Sequence, residues 1–301
     1  MPNLPEHGHE PVLMTETLDA LDPAPGKTII DCTLGRAGHA LRIAQQLAPD
    51  GLLIGLDADP RNLDYARERL SGVPCRTELI HTNFSELAMV LRKLKIDSVD
   101  GILADLGVST NQLFEAEYGM SFQSEMPLDM RLNPRQTLSA AEIVNKTPET
   151  ELANLLFQLA DERFSRRIAR KIIEQRRVSP ITTTGRLAAI VRSALPVRSG
   201  AADRIDPATR TFLALRMAVN RELENLKSLL TQGMTAIKPG GRLVVISFQS
   251  SEDRVVKQTF RFAEQTGLCR ILTNKPLTPD ETEIASNPRS RSSKLRAIQK
   301  L

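Results

Sequence analysis

The chain has 301 residues, 41% of them hydrophobic, and 40 basic against 36 acidic side chains leave a formal charge of +4, too mild to name a partner. No run nears the ~20 apolar residues of a membrane span, and Met1-Pro2-Asn3-Leu4-Pro5-Glu6 is no charged-then-apolar signal, so a cytoplasmic globular protein is expected. Three scattered cysteines without a C-x-x-C pair argue against a zinc or disulfide framework, and the lack of Trp with only two Tyr argues against a base-stacking aromatic platform.

Strand and helix patterns alternate through the first hundred residues: strand 28–34, helix 38–48, strand 52–57, helix 60–70, strand 76–83, helix 85–95, strand 99–105. Such alternation reads as a parallel sheet with right-handed crossovers. From 113 to 205 no strand pattern occurs, while Ala140–Asn145, Glu149–Gln175 and Thr184–Ala194 have helical spacing punctuated by Pro148, Pro180 and Pro196. A long helix at 208–237 follows, and Pro239-Gly240-Gly241 then turns the chain into the β-branched run Arg242–Phe248, where the sheet resumes. The expected architecture is α/β: a Rossmann-like class I methyltransferase sheet with an inserted all-helical domain. Its parts are 1–112, the insertion 113–207, and 208–301.

The first strand runs into Asp31-Cys32-Thr33-Leu34-Gly35-Arg36-Ala37-Gly38-His39. A chain that leaves a strand and re-enters a helix this quickly points free amides into a crevice. Nicotinamide and flavin folds use G-x-G-x-x-G against a pyrophosphate. Here the spacing is G-x-x-G after a carboxylate, which repels a diphosphate and suits the ammonium and sulfonium of S-adenosylmethionine. The second strand ends in Asp57-Ala58-Asp59-Pro60. Asp57, at the strand's carboxyl end, is placed to accept ribose hydroxyls, a role that nicotinamide folds share, whereas Asp59 before Pro60 reads as a helix cap.

Further along, strand 99–105 delivers Asp105 and then Leu106-Gly107-Val108-Ser109, with Gln112 just beyond. Amine methyltransferases often carry an Asn/Asp-Pro-Pro-aromatic tetrad here; this chain keeps the acceptor and lacks the aromatic. The alternative for Asp105 is a cap for the turn at Ser109. Residues 118–133, rich in Met and Phe with Asp129 and Arg131, either line a pocket or pack the insertion. In 161–177, Phe164, Ile168 and Ile172 form an apolar stripe, and Arg163, Arg167, Arg170 and Arg177 form either a solvated charge row or a phosphate-tracking face. Asn287–Arg296 is either a second phosphate-binding cluster or a tail. Residues 247–254 leave the late strand, with Ser250 or Ser251 a candidate cap, Glu252 and Asp253 near the helix dipole, and Gln249 or Arg254 within reach of a target base. His7 and His9 lack a third ligand, so no metal is expected.

These blocks together resemble the RsmH (MraW) family: His9–Leu13, Asp31–His39, Asp105–Ser109, Pro127–Arg131, Pro207–Phe212 with Val219–Leu223, Gly240–Arg254 and Asn287–Arg296. The resemblance implies S-adenosylmethionine-dependent methylation of a cytidine N4 in bacterial small-subunit ribosomal RNA, within the 30S subunit. It implies a cofactor site of Ala37, Gly38, His39, Asp57, Phe84, Asp105 and Gln112 and an insertion that helps to recognise RNA; within this reaction Asp105, or backbone carbonyls nearby, is expected to accept hydrogen bonds from the amine. Departures from the family pattern are Cys32 and Ala37 at glycine positions, Ala40 for serine, Asp206 for histidine, and Gln249-Ser250-Ser251 for His-Ser-Leu. They motivate a second reading, a catalytically weakened assembly factor of the same fold. A third, a methyltransferase for proteins or small molecules, leaves the basic clusters without a role.

Overall fold

The computed structural model describes residues 11–122, 125–195 and 206–301. They divide into two compact units, one of residues up to Ser109 together with Leu223–Leu301, the other Thr110–Glu222. In chain order the first unit opens with α1 (Met14–Leu21), β1 (Thr28–Asp31), α2 (Gly38–Leu47), β2 (Leu52–Asp57), α3 (Pro60–Arg69) and β3 (Arg76–His81). A 3-10 turn at Phe84–Glu86 leads into α4 (Leu87–Leu94) and β4 (Val99–Asp105). The second unit holds α5 (Thr110–Phe114), α6 (Ala140–Lys146), α7 (Glu149–Ala160), α8 (Ser165–Val178), α9 (Thr184–Ala194) and α10 (Thr209–Val219). The first unit then resumes through α11 (Glu222–Ala236), β5 (Ile237–Ser247), α12 (Ser250–Gln265), β6 (Cys269–Ile271), α13 (Glu281–Ser286) and β7 (Lys294–Lys300).

Among the described residues the strands form one seven-stranded sheet in the order β3-β2-β1-β4-β5-β7-β6. β1 to β5 are parallel, and β7 runs antiparallel between β5 and β6. Both faces of the sheet are covered, because side chains alternate and the central strands β1, β2, β4 and β5 are apolar at successive positions. Ile30, Ile54, Ile102, Val245 and Ile298 pack in a layer with residues of α4, α11 and α12. Their neighbours Ile29, Leu53, Leu103, Val244 and Ala297 pack in the opposite layer with residues of α1, α2 and α3.

Asn287–Arg296 is no tail. Lys294–Lys300 is a strand flanked on both sides, and Arg296 is buried with its guanidinium on Asp253 at 2.6 and 3.3 Å. The phosphate-binding reading of that cluster loses Arg296, and Ser290 and Ser293 are buried as well.

In the second unit the helical spacing of 149–175 is broken at Asp161, whose left-handed φ of 50° ends α7 and begins the turn into α8. The helix expected at 208–237 is likewise broken, at Arg221 with φ 50°, where α10 gives way to α11. α10 packs on α7, so the helical unit runs on to Glu222, past the sequence boundary at 207. The segment 118–133 packs inside this unit: Tyr118, Met120, Met126, Leu128 and Met130 are buried, and Leu128 N donates to Thr182 O. Asp129 and Arg131 form a two-point pair at 2.7 Å each, and Asn220 bonds to Met130 O and Leu132 N.

Candidate active site

Asp31 stands opposite Gly55 and Leu103 in the sheet, so Asp57 and Asp105 lie two residues further along the strands on either side of β1. Thr33 knits these tips together. Its amide donates to Asp31 Oδ1 at 3.0 Å, and its hydroxyl accepts the Asp105 amide at 2.7 Å. A carboxyl edge is where open α/β sheets take ligands, because the crossovers leave a crevice there.

Asp57 receives three donors: the Gly35 amide at 2.7 Å, the Asp59 amide at 2.8 Å and Asn62 Nδ2 at 3.2 Å. A carboxylate offers about four lone-pair sites, so Asp57 braces the turn after β1 and keeps room for one ligand hydroxyl. The cap at Asp59 is present, its side chain accepting from Arg61 N. Gly35 has φ 51°, and Ala37, which caps α2, has φ 57°. That left-handed backbone favours glycine, since Cβ crowds the following carbonyl there, and Ala37 adopts it with a Cβ. Gly38 is small for another reason: a Cβ would sit 2.6 Å from Pro11 Cγ.

His39 is buried, and its Nε2 lies 2.9 Å from the carbonyl of Val12. A carbonyl only accepts, so Nε2 carries a proton. The other nitrogen, Nδ1, is 3.7 Å from Asp105 Oδ2. Asp105 Oδ1 is buried and has no hydrogen-bond partner among the described residues. Burial raises the Asp105 carboxyl well above the ordinary range, helped by the neighbouring charges of Asp31 and Glu252. Burial likewise raises Asp31 to about 7, against the Thr33 amide and with Asp57 adding to the rise, and Asp57 to about 6. Glu252 is buried as well, accepting the amides of Phe248 and Gln249 at 3.0 Å each where β5 turns into α12.

Sequence reasoning did not give Glu252 this place, although Glu at the third position of a helix after a strand is the signal for such a cap. Phe84, in the 3-10 turn after β3, packs against the layer that holds Ile54 and Leu56. Gln112 is buried in α5 and belongs to the helical unit. In that unit Asp206 grips Arg192 at 2.7 and 3.2 Å and accepts the Ala208 amide at 2.8 Å. The Arg192 guanidinium lies over Phe122, which packs edge-on against Phe212. The acid at 206 is therefore a structural anchor. His7 and His9 lie outside the described residues, among which no His, Cys, Asp or Glu group is arranged to hold a metal.

The strand order and carboxylates at the tips of β1, β2 and β4 define a Rossmann-like class I methyltransferase. Residues 6–301 match the model of the MraW methylase family, and the chain belongs to that family. It is similar to ribosomal RNA small subunit methyltransferase H of Desulfosudis oleivorans, 44% identical with 97% of this chain and 99% of the relative covered. The protein of the same name from Geobacter sulfurreducens is 46% identical, again over 97% and 99%. That from Acidobacterium capsulatum is 46% identical over 97% and 98%.

The methyl donor is S-adenosylmethionine. The residues present fit it. Buried carboxylates held above their ordinary titration range, Asp31 at about 7 and Asp57 at about 6, are the surroundings that a cationic ligand relieves, and among the described residues none donates to Asp105 Oδ1.

Proposed function

We propose that this chain transfers a methyl group from S-adenosylmethionine to the exocyclic N4 of a cytidine in small-subunit ribosomal RNA, acting on the assembled 30S particle in the cytoplasm. Family membership and relatives named as small-subunit ribosomal RNA methyltransferases support the reaction class. The observation that carries the assignment of roles is Asp105 Oδ1, buried at the sheet edge with no partner among the described residues. Bound S-adenosylmethionine supplies an electrophilic methyl on a positively charged sulfur.

Asp105 accepts a hydrogen bond from the target amine at Oδ1, which turns the nitrogen lone pair toward the methyl. His39, tethered by Val12, stands behind Oδ2 and limits the rotation of that carboxyl. Asp57 keeps one lone-pair site for a ribose hydroxyl, and Ala37, Gly38 and Phe84 shape the crevice. Orientation supplies most of the acceleration, and the proton leaves to solvent after transfer, so no strong base is needed.

The test is incubation of purified protein with methyl-labelled donor and small subunits lacking the modification, then nucleoside analysis of the RNA. N4-methylcytidine is the expected product. Label in ribosomal protein, or none in RNA while a control methyltransferase works, overturns the proposal.

A further inference from the structure

We propose that the exposed face of the α7–α8 hairpin is a binding surface for single-stranded stretches of the substrate RNA, with Arg163, Arg166, Arg167 and Arg177 on phosphates and Phe157 and Phe164 on bases. The proposal rests on the reading of the substrate as RNA and adds where the RNA is held.

α8 buries Ser165, Ile168, Ala169, Ile172 and Ile173. Phe164 does not join this stripe, contrary to its spacing in the sequence. It sits before the first turn with 41% of its surface in water, and Phe157, near the end of α7, is 54% exposed. Two aromatic rings are thus left in solvent close to one helix turn, whereas Phe262 of α12 is exposed far from it in the sequence.

The side of α8 away from the buried stripe carries cations. Arg163, Arg166, Arg167, Arg170 and Arg177 are exposed. Arg170 faces Glu149 at 3.7 Å, and Arg176 is turned inward onto Val144 O and Thr147 O. Among the described residues the other four have no hydrogen-bond or ion-pair partner. The 14 residues of α8 extend over about 21 Å, long enough to follow several phosphates of one strand. Guanidinium groups grip phosphate oxygens in pairs and stack on bases, and exposed Phe adds a sequence-tolerant stacking face.

The turn is also held firmly. Glu162 is buried and accepts the Phe164 amide at 2.9 Å, and Arg210 donates to Asp161 O at 3.1 Å. The two rings and the guanidiniums are thus presented by a fixed corner, which lowers the cost of ordering them on a ligand. Charge complementarity selects the occupant: exposed guanidiniums on one side of α8 together with two exposed aromatic rings at its start and at the end of α7 match a chain of phosphates and bases.

The experiment measures the affinity of the full-length protein for in vitro transcribed small-subunit ribosomal RNA over a range of salt. Arg163, Arg166 and Arg167 are changed together to Ala, and a control changes Arg92, Lys93 and Arg261, which are exposed in the first unit. Three lost phosphate contacts lower the slope of log affinity against log salt by about 2, or on the order of 100-fold in affinity at 0.1 M. The control keeps the wild-type slope. Phe157→Ala with Phe164→Ala weakens binding at every salt concentration and leaves the slope unchanged.

Equal slopes for wild type and the α8 triple variant overturn the surface assignment alone, provided methyl transfer to RNA is intact. Wild-type protein with no salt-dependent RNA affinity and no transfer overturns the substrate reading and this proposal with it. A triple variant that binds RNA normally and loses a purified acidic ribosomal protein assigns the surface to protein instead, and overturns the proposal as well.

Discussion

The backbone amide of Gly35 donates to Asp57 Oδ2 at 2.7 Å, so the acid at the tip of β2 holds the turn that follows β1. Local folding and the proposed recognition of the cofactor therefore share one side chain. With the Asp59 amide on Oδ1 and Asn62 on Oδ2, both oxygens must be acceptors.

Asp57→Asn places an NH2 against at least one of these donors. A buried donor left unpaired costs about 1–3 kcal/mol, and the loosened turn no longer presents the crevice in one geometry. Denaturant unfolding should show a loss in that range, and calorimetry a fall in donor affinity of tenfold or more. An unchanged unfolding midpoint removes the bracing role from Asp57.

Asp31→Asn should act in the opposite direction on stability. The folded-state pKa of Asp31 is raised from 3.8 to about 7. The folded protein thus binds a proton more tightly than the unfolded chain, and this stabilisation is present at low pH and lost as pH rises through about 7. At pH 8 the charged side chain costs the fold at most roughly 4 kcal/mol relative to a neutral one. Asn keeps the acceptor for the Thr33 amide, so melts at pH 8 should rise most, those near pH 5 by a smaller amount, and those below the unfolded value of 3.8 should be close to wild type. Donor affinity should fall, because the ligand's positive charge loses its partner. For the wild type, donor affinity should climb with pH up to about 7 and level off, with proton release seen as a buffer-dependent binding heat. A pH-independent affinity between 5.5 and 8 contradicts this.

Arg296 and Asp253 offer a test of what the C-terminal basic residues do. Both charges are largely out of water and paired at 2.6 Å. Removing one member of a buried pair costs about 3–5 kcal/mol when the other is left uncompensated, and Lys294 Nζ, 3.8 Å from Asp253 Oδ2, remains as a weaker partner that holds the cost toward the lower end. Arg296→Ala should destabilise the sheet by that order, and the salt slope of RNA binding should stay as in wild type. A normal unfolding midpoint with a shallower slope gives Arg296 back to RNA.

Strands β1, β2 and β4 were legible because they are apolar at consecutive positions and end in Asp31, Asp57 and Asp105, with turn residues after each. The cap at Asp59 was legible from the Pro that follows it. β7 was not, since its charge is neutralised by Asp253, 43 residues away, and a pairing at that distance leaves no local trace. Likewise Asp161 and Arg221 break helices by adopting positive φ without glycine or proline to announce it. Phe164 fell out of its expected stripe because the turn at Asp161 resets the phase of the helix that follows. The buried role of Glu252 depended on knowing that α12 starts beside β4's end, which tertiary structure alone supplies.

Asp105→Asn separates catalysis from binding and stability. The carboxyl is held neutral-prone by burial and by the charges of Asp31 and Glu252, so an uncharged amide relieves repulsion and the melting temperature should rise at pH 8. The amide keeps the shape of the side chain and one acceptor oxygen, and the main-chain tie from Asp105 N to Thr33 Oγ1 is untouched. Donor affinity should therefore stay within a few-fold of wild type. The turnover number should fall by on the order of 100-fold or more, the size of effect seen when one group aligned with the transition state is removed. The KM for RNA should change little. A variant with near-normal turnover, or one in which the loss lies wholly in donor binding, assigns Asp105 to the cofactor alone. Rescue by a second change, His39→Gln, is not expected, because Gln cannot reproduce a ring held by Val12 on one nitrogen and facing Oδ2 with the other.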